Sequence, residues 1–109
     1  MKVDTVALFT RETELVESTI HCREFCPAVG TAEAPASGTT NRALACYLLR
    51  QGIIDFSTDG HQTVIAEQGY EMGRPSRICT EMTLRDGGIA EIKVGGVATK
   101  LMQGMFYVS

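Results

Sequence analysis

Cys26 to Gly52, CPAVGTAEAPASGTTNRALACYLLRQG, runs a glycine-punctuated loop into one apolar helix. From Asn41 to Leu49 the polar residues sit mainly at the start, and Ala43, Leu44, Ala45, Cys46, Tyr47, Leu48 and Leu49 point all round a helical wheel. A helix that is apolar on every side belongs inside a fold. Ser37, Thr39 and Thr40 are cap candidates, and Gly52 after Arg50 and Gln51 is a stop. The first turn of such a helix carries unpaired N–H groups at the positive end of its dipole, and a loop of small residues lets an anion come close. Gly30, Gly38, Thr39 and Thr40 are the residues placed at that doorway. A second reading stays open here: a capped core helix whose glycines only make turns.

On either side of this segment the pattern is of strands. Val3 to Phe9 is β-branched and apolar, and it starts almost at Met1, so no segment is expected before the fold. Arg11 to Ser18 is charged and reads as a loop or a single helical turn. Ile20 to Phe25 alternates, with Ile20, Cys22 and Glu24 on one side and His21, Arg23 and Phe25 on the other. His21 is therefore a strand residue, read either as a half-buried structural histidine or as an acid–base imidazole near the following loop. After the helix, Ile53, Ile54 and Phe56 form a short apolar piece before a turn at Asp59-Gly60, and His61 is a solvated turn residue. Thr63 to Ala66 is a strand, Gln68 to Ser76 is a second glycine-rich connection, and Arg77 to Thr83 alternates with Ile78, Thr80 and Met82 on one side. Asp86-Gly87-Gly88 marks a hairpin into Ile89–Val94. Gly95-Gly96 predicts another tight turn into Val97–Met102, and MFYV a last strand. The class is α+β: a curved, mostly antiparallel, barrel-like sheet wrapped around one central buried helix.

Composition narrows the function. The chain has 109 residues, a formal charge of −3 and 6% aromatic residues, with no basic run, which argues against a nucleic-acid partner. With 21% charged and 44% hydrophobic residues it is an ordinary folded domain rather than a disordered one. No apolar run reaches membrane-spanning length and MKVDTVALFTRE lacks a signal-peptide core, so no membrane partner and a cytoplasmic location are expected. Cys22, Cys26, Cys46 and Cys79 show neither a C-x-x-C pair nor a histidine at ligand spacing, and they read as buried free thiols rather than disulfides or a metal site.

Five ordered motifs then stand out: Arg23-x-Phe25-x-Pro27-x-x-Gly30, Glu33-x-Pro35-Ala36-x-Gly38, Tyr47-Leu48, Gln68-Gly69-x-x-Met72-Gly73-Arg74-Pro75-Ser76 and Val94-Gly95-Gly96. Together they resemble the second half of the phenazine-biosynthesis PhzF-like proteins, a branch of the diaminopimelate-epimerase-like fold. The resemblance implies that residues 1–109 are one domain of a chain usually built from two, with the active site between two facing helix amino termini. It implies isomerisation or epimerisation of a small carboxylated metabolite by proton transfer at carbon, with no metal and no organic cofactor. Such chemistry needs a base, a returning acid and donors for the substrate carboxylate.

Two departures qualify what carries over. The family's glutamate base lies in the first domain, which this chain does not contain. The family's Glu-Asp-Pro-Ala-Thr-Gly-Ser reads here Glu33-Ala34-Pro35-Ala36-Ser37-Gly38-Thr39, so the acidic position is Ala34. The epimerase branch uses a cysteine in this loop, and none occurs between Val29 and Thr40. Three hypotheses follow in this order: a homodimer that binds a small carboxylate between two helix amino termini; an active, cofactor-independent isomerase formed by the same homodimer; and a non-catalytic half that needs a separate first-domain chain. The MFYVS terminus is a candidate to add to the partner's sheet. Glu33 is the nearest candidate acid or base, read also as a residue that hydrogen-bonds its own loop, with Glu71 a distant second. Arg74 is a candidate to hold a substrate carboxylate or to anchor its loop.

Overall fold

The alternation read at Arg77–Thr83 extends along the longest strand of the computed structural model, which describes residues 3–55 and 60–109. Ile78, Thr80, Met82 and Leu84 are buried on one face of that strand while Arg77, Glu81 and Arg85 are exposed on the other, the period of two that a sheet covered on one face demands. In chain order the elements are β1 (Val6–Thr10), β2 (Ile20–Cys26), β3 (Thr31–Ala34), α1 (Gly38–Arg50), β4 (Gly60–Gln68), β5 (Ser76–Arg85) and β6 (Gly88–Gly95). Short 3-10 turns occupy Pro27–Val29 and Tyr70–Met72.

These strands form one mixed sheet in the order β1-β2-β4-β5-β6, with β3 also paired to β2. Only β2 and β4 run parallel, through Ile20↔Ala66, His21↔Glu67 and Cys22↔Gln68; the other pairs are antiparallel. The Asp86-Gly87 hairpin forms as its sequence predicts. Both turn residues have positive φ, 54° and 78°, the geometry whose twist matches that of the flanking strands. The strand at Thr63–Ala66 is longer than expected, and β3 arises within what reads as loop. Arg11–Ser18 forms no helix. Phe56 and Asp59 lie outside the described residues.

Helix α1 lies on one face of this sheet, and the core is the layer between them: Ile20 and Cys22 of β2, Leu44, Ala45 and Leu48 of α1, Val64 and Ala66 of β4, and Ile78, Met82 and Leu84 of β5. Two expectations need correction here. The sheet is open, not barrel-like, and the helix is not enclosed. Asn41, Leu44, Ala45 and Leu48 are buried, whereas Arg42, Ala43 and Tyr47 are exposed and Cys46 is half-buried. The outward residues are small, or, like Tyr47, carry a polar tip, so their apolar character does not require enclosure. The second correction concerns the carboxyl-terminal end. Neither Val97–Met102 nor Met105–Val108 is a strand, and β6 ends at Gly95 without a turn into a further one. A strand exists only with a ladder partner, and among the described residues this segment has none.

The loops that meet at the start of α1 are packed backbone to backbone. Gly69 has φ +84°, and a Cβ there would stand 2.2 Å from the Arg74 carbonyl oxygen and 2.6 Å from that of Pro35. Gly73 is also left-handed, at φ +68°, with open space around it. Gly69→Ala is therefore expected to cost on the order of 3 kcal/mol, strain and collision together. Gly73→Ala should cost only about 1 kcal/mol, for the backbone conformation alone. Urea unfolding of the two variants checks the difference, and equal losses would contradict the close approach.

Candidate functional site

The amino terminus of α1 is capped as its sequence suggests. The Ser37 side chain accepts from the Thr40 N–H at 3.2 Å, and the Ser37 carbonyl accepts from the Asn41 N–H at 3.2 Å and from Asn41 Nδ2 at 2.8 Å. Asn41 Nδ2 also donates to Gln68 Oε1 at 2.8 Å, and Gln68 Nε2 donates to the Ala34 carbonyl at 2.9 Å. Asn41 and Gln68 are both buried, so these bonds satisfy groups that have no access to water. The Ser76 hydroxyl, 3.0 Å from the Pro35 carbonyl and 3.1 Å from that of Gln68, closes the ring of contacts. The Cys22 thiol faces the two buried amides, 3.7 Å from Asn41 Oδ1 and 3.6 Å from Gln68 Oε1, and burial pushes it up to about 11.

A cleft of about 580 Å³ opens beside this terminus, lined by Ala36, Ser37 and Gly38 on one wall and by Pro75, Ser76, Gly95 and Gly96 on the other. Gly38 and Thr39 are exposed, and among the described residues their N–H groups, at the first two positions of the helix, have no acceptor. An anion in the cleft would find two free backbone donors and the positive end of a 13-residue helix. A larger side chain at Gly96 would crowd this wall, since a Cβ there stands 3.0 Å from the Arg77 carbonyl oxygen.

The candidate residues are not all brought to this place. Gly38 lines the cleft and Thr39 lies next to it, but the Thr40 hydroxyl turns inward and donates to Glu24 Oε1. Gly30 caps the Pro27–Val29 turn at φ 88° and does not line the cleft. Arg74 is exposed, and its N–H donates to the Gly69 carbonyl at 2.9 Å; its neighbours Pro75 and Ser76 are the residues that face the cleft. Glu33, on β3, takes two bonds from Arg23, Nε at 3.1 Å and an outer guanidinium nitrogen at 2.8 Å, and this pairing holds its carboxyl below the usual range. Glu71 belongs to the ion cluster described below.

Glu24 was not among the candidates. Only 6% exposed, it stands opposite Ala34 in the β2–β3 ladder, on the helix side of the sheet. The signal was present in the alternation that grouped Glu24 with Ile20 and Cys22, since a carboxyl in a buried register marks a local polar partner. That partner is Thr40. A carboxyl therefore does approach the helix terminus, from the strand beside the position where the resembling family carries its aspartate.

The outer face of the sheet carries a separate ion cluster. His21 Nδ1 lies 2.8 Å from Glu67 Oε1 and Nε2 lies 2.7 Å from Glu71 Oε1, while the ring meets Tyr70 edge-on at 5.3 Å. Glu67, buried completely, also accepts the N–H groups of Glu14 and Leu15 at 2.9 and 2.8 Å. Burial alone would raise its pKa, but the His21 bond and the two backbone donors outweigh it and hold the carboxyl down to about 2. Burial alone would lower His21, and its two carboxylate partners instead raise it. Glu67 thus ties the 11–18 loop to β4, and His21 joins Glu67 and the Tyr70–Met72 turn to β2, on the face opposite α1. Among the described residues no group of three or more His, Cys, Asp or Glu side chains could hold a metal ion. The four cysteines are free thiols; Cys22 and Cys26 are buried, while Cys46 and Cys79 are half-buried rather than enclosed. Among the described residues no helix is long and apolar enough to cross a membrane.

An open mixed sheet with one helix, whose amino terminus opens on a cleft, defines an α+β domain. The chain belongs to the phenazine biosynthesis-like protein family, PhzC-PhzF, whose model matches residues 1–104. It is 38% identical over 101 residues to an uncharacterized isomerase of Mesorhizobium japonicum, covering 93% of this chain and 32% of that protein. It is 36% identical over 74 residues to the trans-2,3-dihydro-3-hydroxyanthranilate isomerase of Pseudomonas fluorescens, covering 68% of this chain and 25% of that one. The crystal structure of the Bacillus anthracis phenazine biosynthesis protein, PhzF family, superposes with a TM-score of 0.69 at 24% identity, over 84% of this chain and 31% of that one. The chain thus spans about a third or less of the length of these relatives.

The ion cluster gives the fold a pH signature. His21, with a raised pKa, contributes stability that is complete below its ordinary value of 6.5 and is lost as pH rises through its folded value. Glu67, with a depressed pKa, contributes stability that is complete above 4.5 and is lost as pH falls toward about 2. The cluster is therefore worth most between about pH 4.5 and 6.5. His21→Gln should cost about 2 kcal/mol at pH 5.5 and flatten the decline on the alkaline side. Urea titrations from pH 4 to 9 check this, and an unchanged pH profile would contradict it.

Proposed function

We propose that the chain is one lobe of a PhzF-type cleft, corresponding to the second half of the usual family chain and of diaminopimelate-epimerase-like architecture. In this reading it acts as a cytoplasmic homodimer that binds a small carboxylated metabolite between two α1 amino termini. The observation that carries the reading is the pair of open Gly38 and Thr39 N–H groups beside a cleft of about 580 Å³. Isomerisation or epimerisation is the reaction class, supported by the isomerase relatives. This lobe contributes the anion cradle, and Arg74, exposed next to the cleft-lining Pro75, is the residue assigned to a second carboxylate oxygen. Glu33, bound to Arg23, positions the loop that carries Pro35 to Gly38. Its duty as acid or base is the second reading, tested by turnover of Glu33→Gln.

A separate chain carrying the family's first domain is an alternative source of the facing lobe, supported by the share of the relatives that this chain spans. Solution mass separates the two, since a monomer that dimerises with nothing but a first-domain chain supports the alternative.

Thr39→Glu tests the cradle directly. A carboxylate on the first turn should stabilise the ligand-free helix by about 0.5 kcal/mol through the dipole. It should also abolish any rise in melting temperature produced by sulfate or small carboxylates, which on the parent chain should reach several degrees at saturation. Parent and variant responding equally to sulfate would contradict the site.

A further inference from the structure

The sheet has two edges, and they are not alike. β6 carries Glu91 and Lys93 on its outward face, paired at 3.4 Å, and charges of this kind deter another strand from docking. β1 reads VALFT, with no charge and no proline, and its Val6 and Leu8 are 51% and 57% exposed. Among the described residues no strand pairs with the edge of β1 that faces away from β2. Beside it lies the open face of α1: Phe9 meets Tyr47 edge-on at 6.2 Å, and a groove of about 460 Å³ runs along Ala43, Cys46 and Tyr47 to a polar end at Arg50 and Gln51.

The same chain holds a segment suited to that edge. Leu101, Met102, Met105, Phe106, Tyr107 and Val108 are between 76% and 95% exposed, and a concentration of large apolar side chains open to water marks a surface made for contact. MFYV has the β-branched and aromatic composition of a strand, lacks charge, and nearly matches the five residues of β1 in length. The segment projects from the fold: the radius of gyration is 15.9 Å, against about 13 Å for a folded domain of this length.

We infer that Met105–Val108 adds as a strand to the free edge of β1 in a second copy of this chain. The exchange is reciprocal, so one two-fold axis satisfies both unprotected edges and both exposed segments. Main-chain hydrogen bonds supply the pairing. Alternate side chains of the added strand lie over Phe9 and the Tyr47–Cys46 groove, which extends the sheet around the open side of the helix. This interface deepens the homodimer reading above and rests on it.

The test is light scattering of the full chain and of the double variant Phe106→Pro/Tyr107→Pro at tens of micromolar, with hydrogen exchange at β1. Both substituted residues are exposed, so the variant keeps its core, as circular dichroism would verify. Two adjacent prolines remove donors on both sides of the added strand. The expected result is a dimeric parent, a monomeric variant, and outward amides of β1 that exchange at least tenfold faster in the variant. A monomeric parent overturns the inference, including one whose β1 amides are protected because the segment closes on its own chain. So does a variant that stays dimeric. Sulfate-dependent melting of the same two proteins separates this inference from the cradle: a sulfate response in a monomeric parent sinks only the dimer, and a segment-dependent dimer indifferent to sulfate sinks only the cradle.

Discussion

One buried side-chain amide holds the site together. Gln68, at the end of β4, accepts from Asn41 on α1 and donates to the Ala34 carbonyl at the end of β3, so three elements distant in sequence meet at a single group. Each such bond contributes about 1 kcal/mol net, but leaving its buried partner unmatched costs about 1–3 kcal/mol. The geometry is thus enforced less by the strength of each bond than by the penalty of breaking one. Ser76 and Gly69 extend the constraint into the 69–76 loop, where the Pro35 carbonyl accepts from the Ser76 hydroxyl and leaves no room for a Cβ on Gly69. What this arrangement fixes is the position of the first turn of α1, and therefore the direction in which Gly38 and Thr39 present their N–H groups.

The electrostatics of that turn are divided by depth. Inside, Glu24 meets the Thr40 hydroxyl, so the buried side of the terminus already faces a carboxyl group. Outside, toward the cleft, the lining joins Ser76 and small residues to Arg77 and the apolar Ile78, Val94 and Val97, with no carboxylate among them. An anion arriving from the cleft is therefore served by the first two N–H groups and not by the third, which Ser37 occupies. The ion cluster at His21 works on the other face of the sheet, where it fastens loops rather than contacts the cleft.

Much of this was legible in the sequence because it is local. Alternation in Ile20–Phe25 and Arg77–Thr83 grouped the side chains that share a face, Asp86-Gly87 marked its turn, and the cap, Ser37, was one of three candidates with Thr39 and Thr40. The ordered glycine and proline motifs placed the chain in its family, which the match over residues 1–104 shows. Closure of the sheet was not legible, because apolar residues on the outer side of α1 look the same whether a strand covers them or water does. Val97–Met102 and MFYV have strand composition, but composition does not supply a ladder partner. Glu24 was visible as a carboxyl in a buried register, yet its partner Thr40 lies across the tertiary structure, and nothing in the spacing pairs them.

The central claim is that the first turn of α1 is an anion-binding terminus. Amide nuclear magnetic resonance during a titration with inorganic sulfate tests it most directly, because it reports on each N–H separately. The account predicts saturable shifts concentrated at Gly38 and Thr39, with the capped Thr40 amide moving less. Saturable shifts elsewhere with these two amides still, or no saturable shift at all, would contradict it.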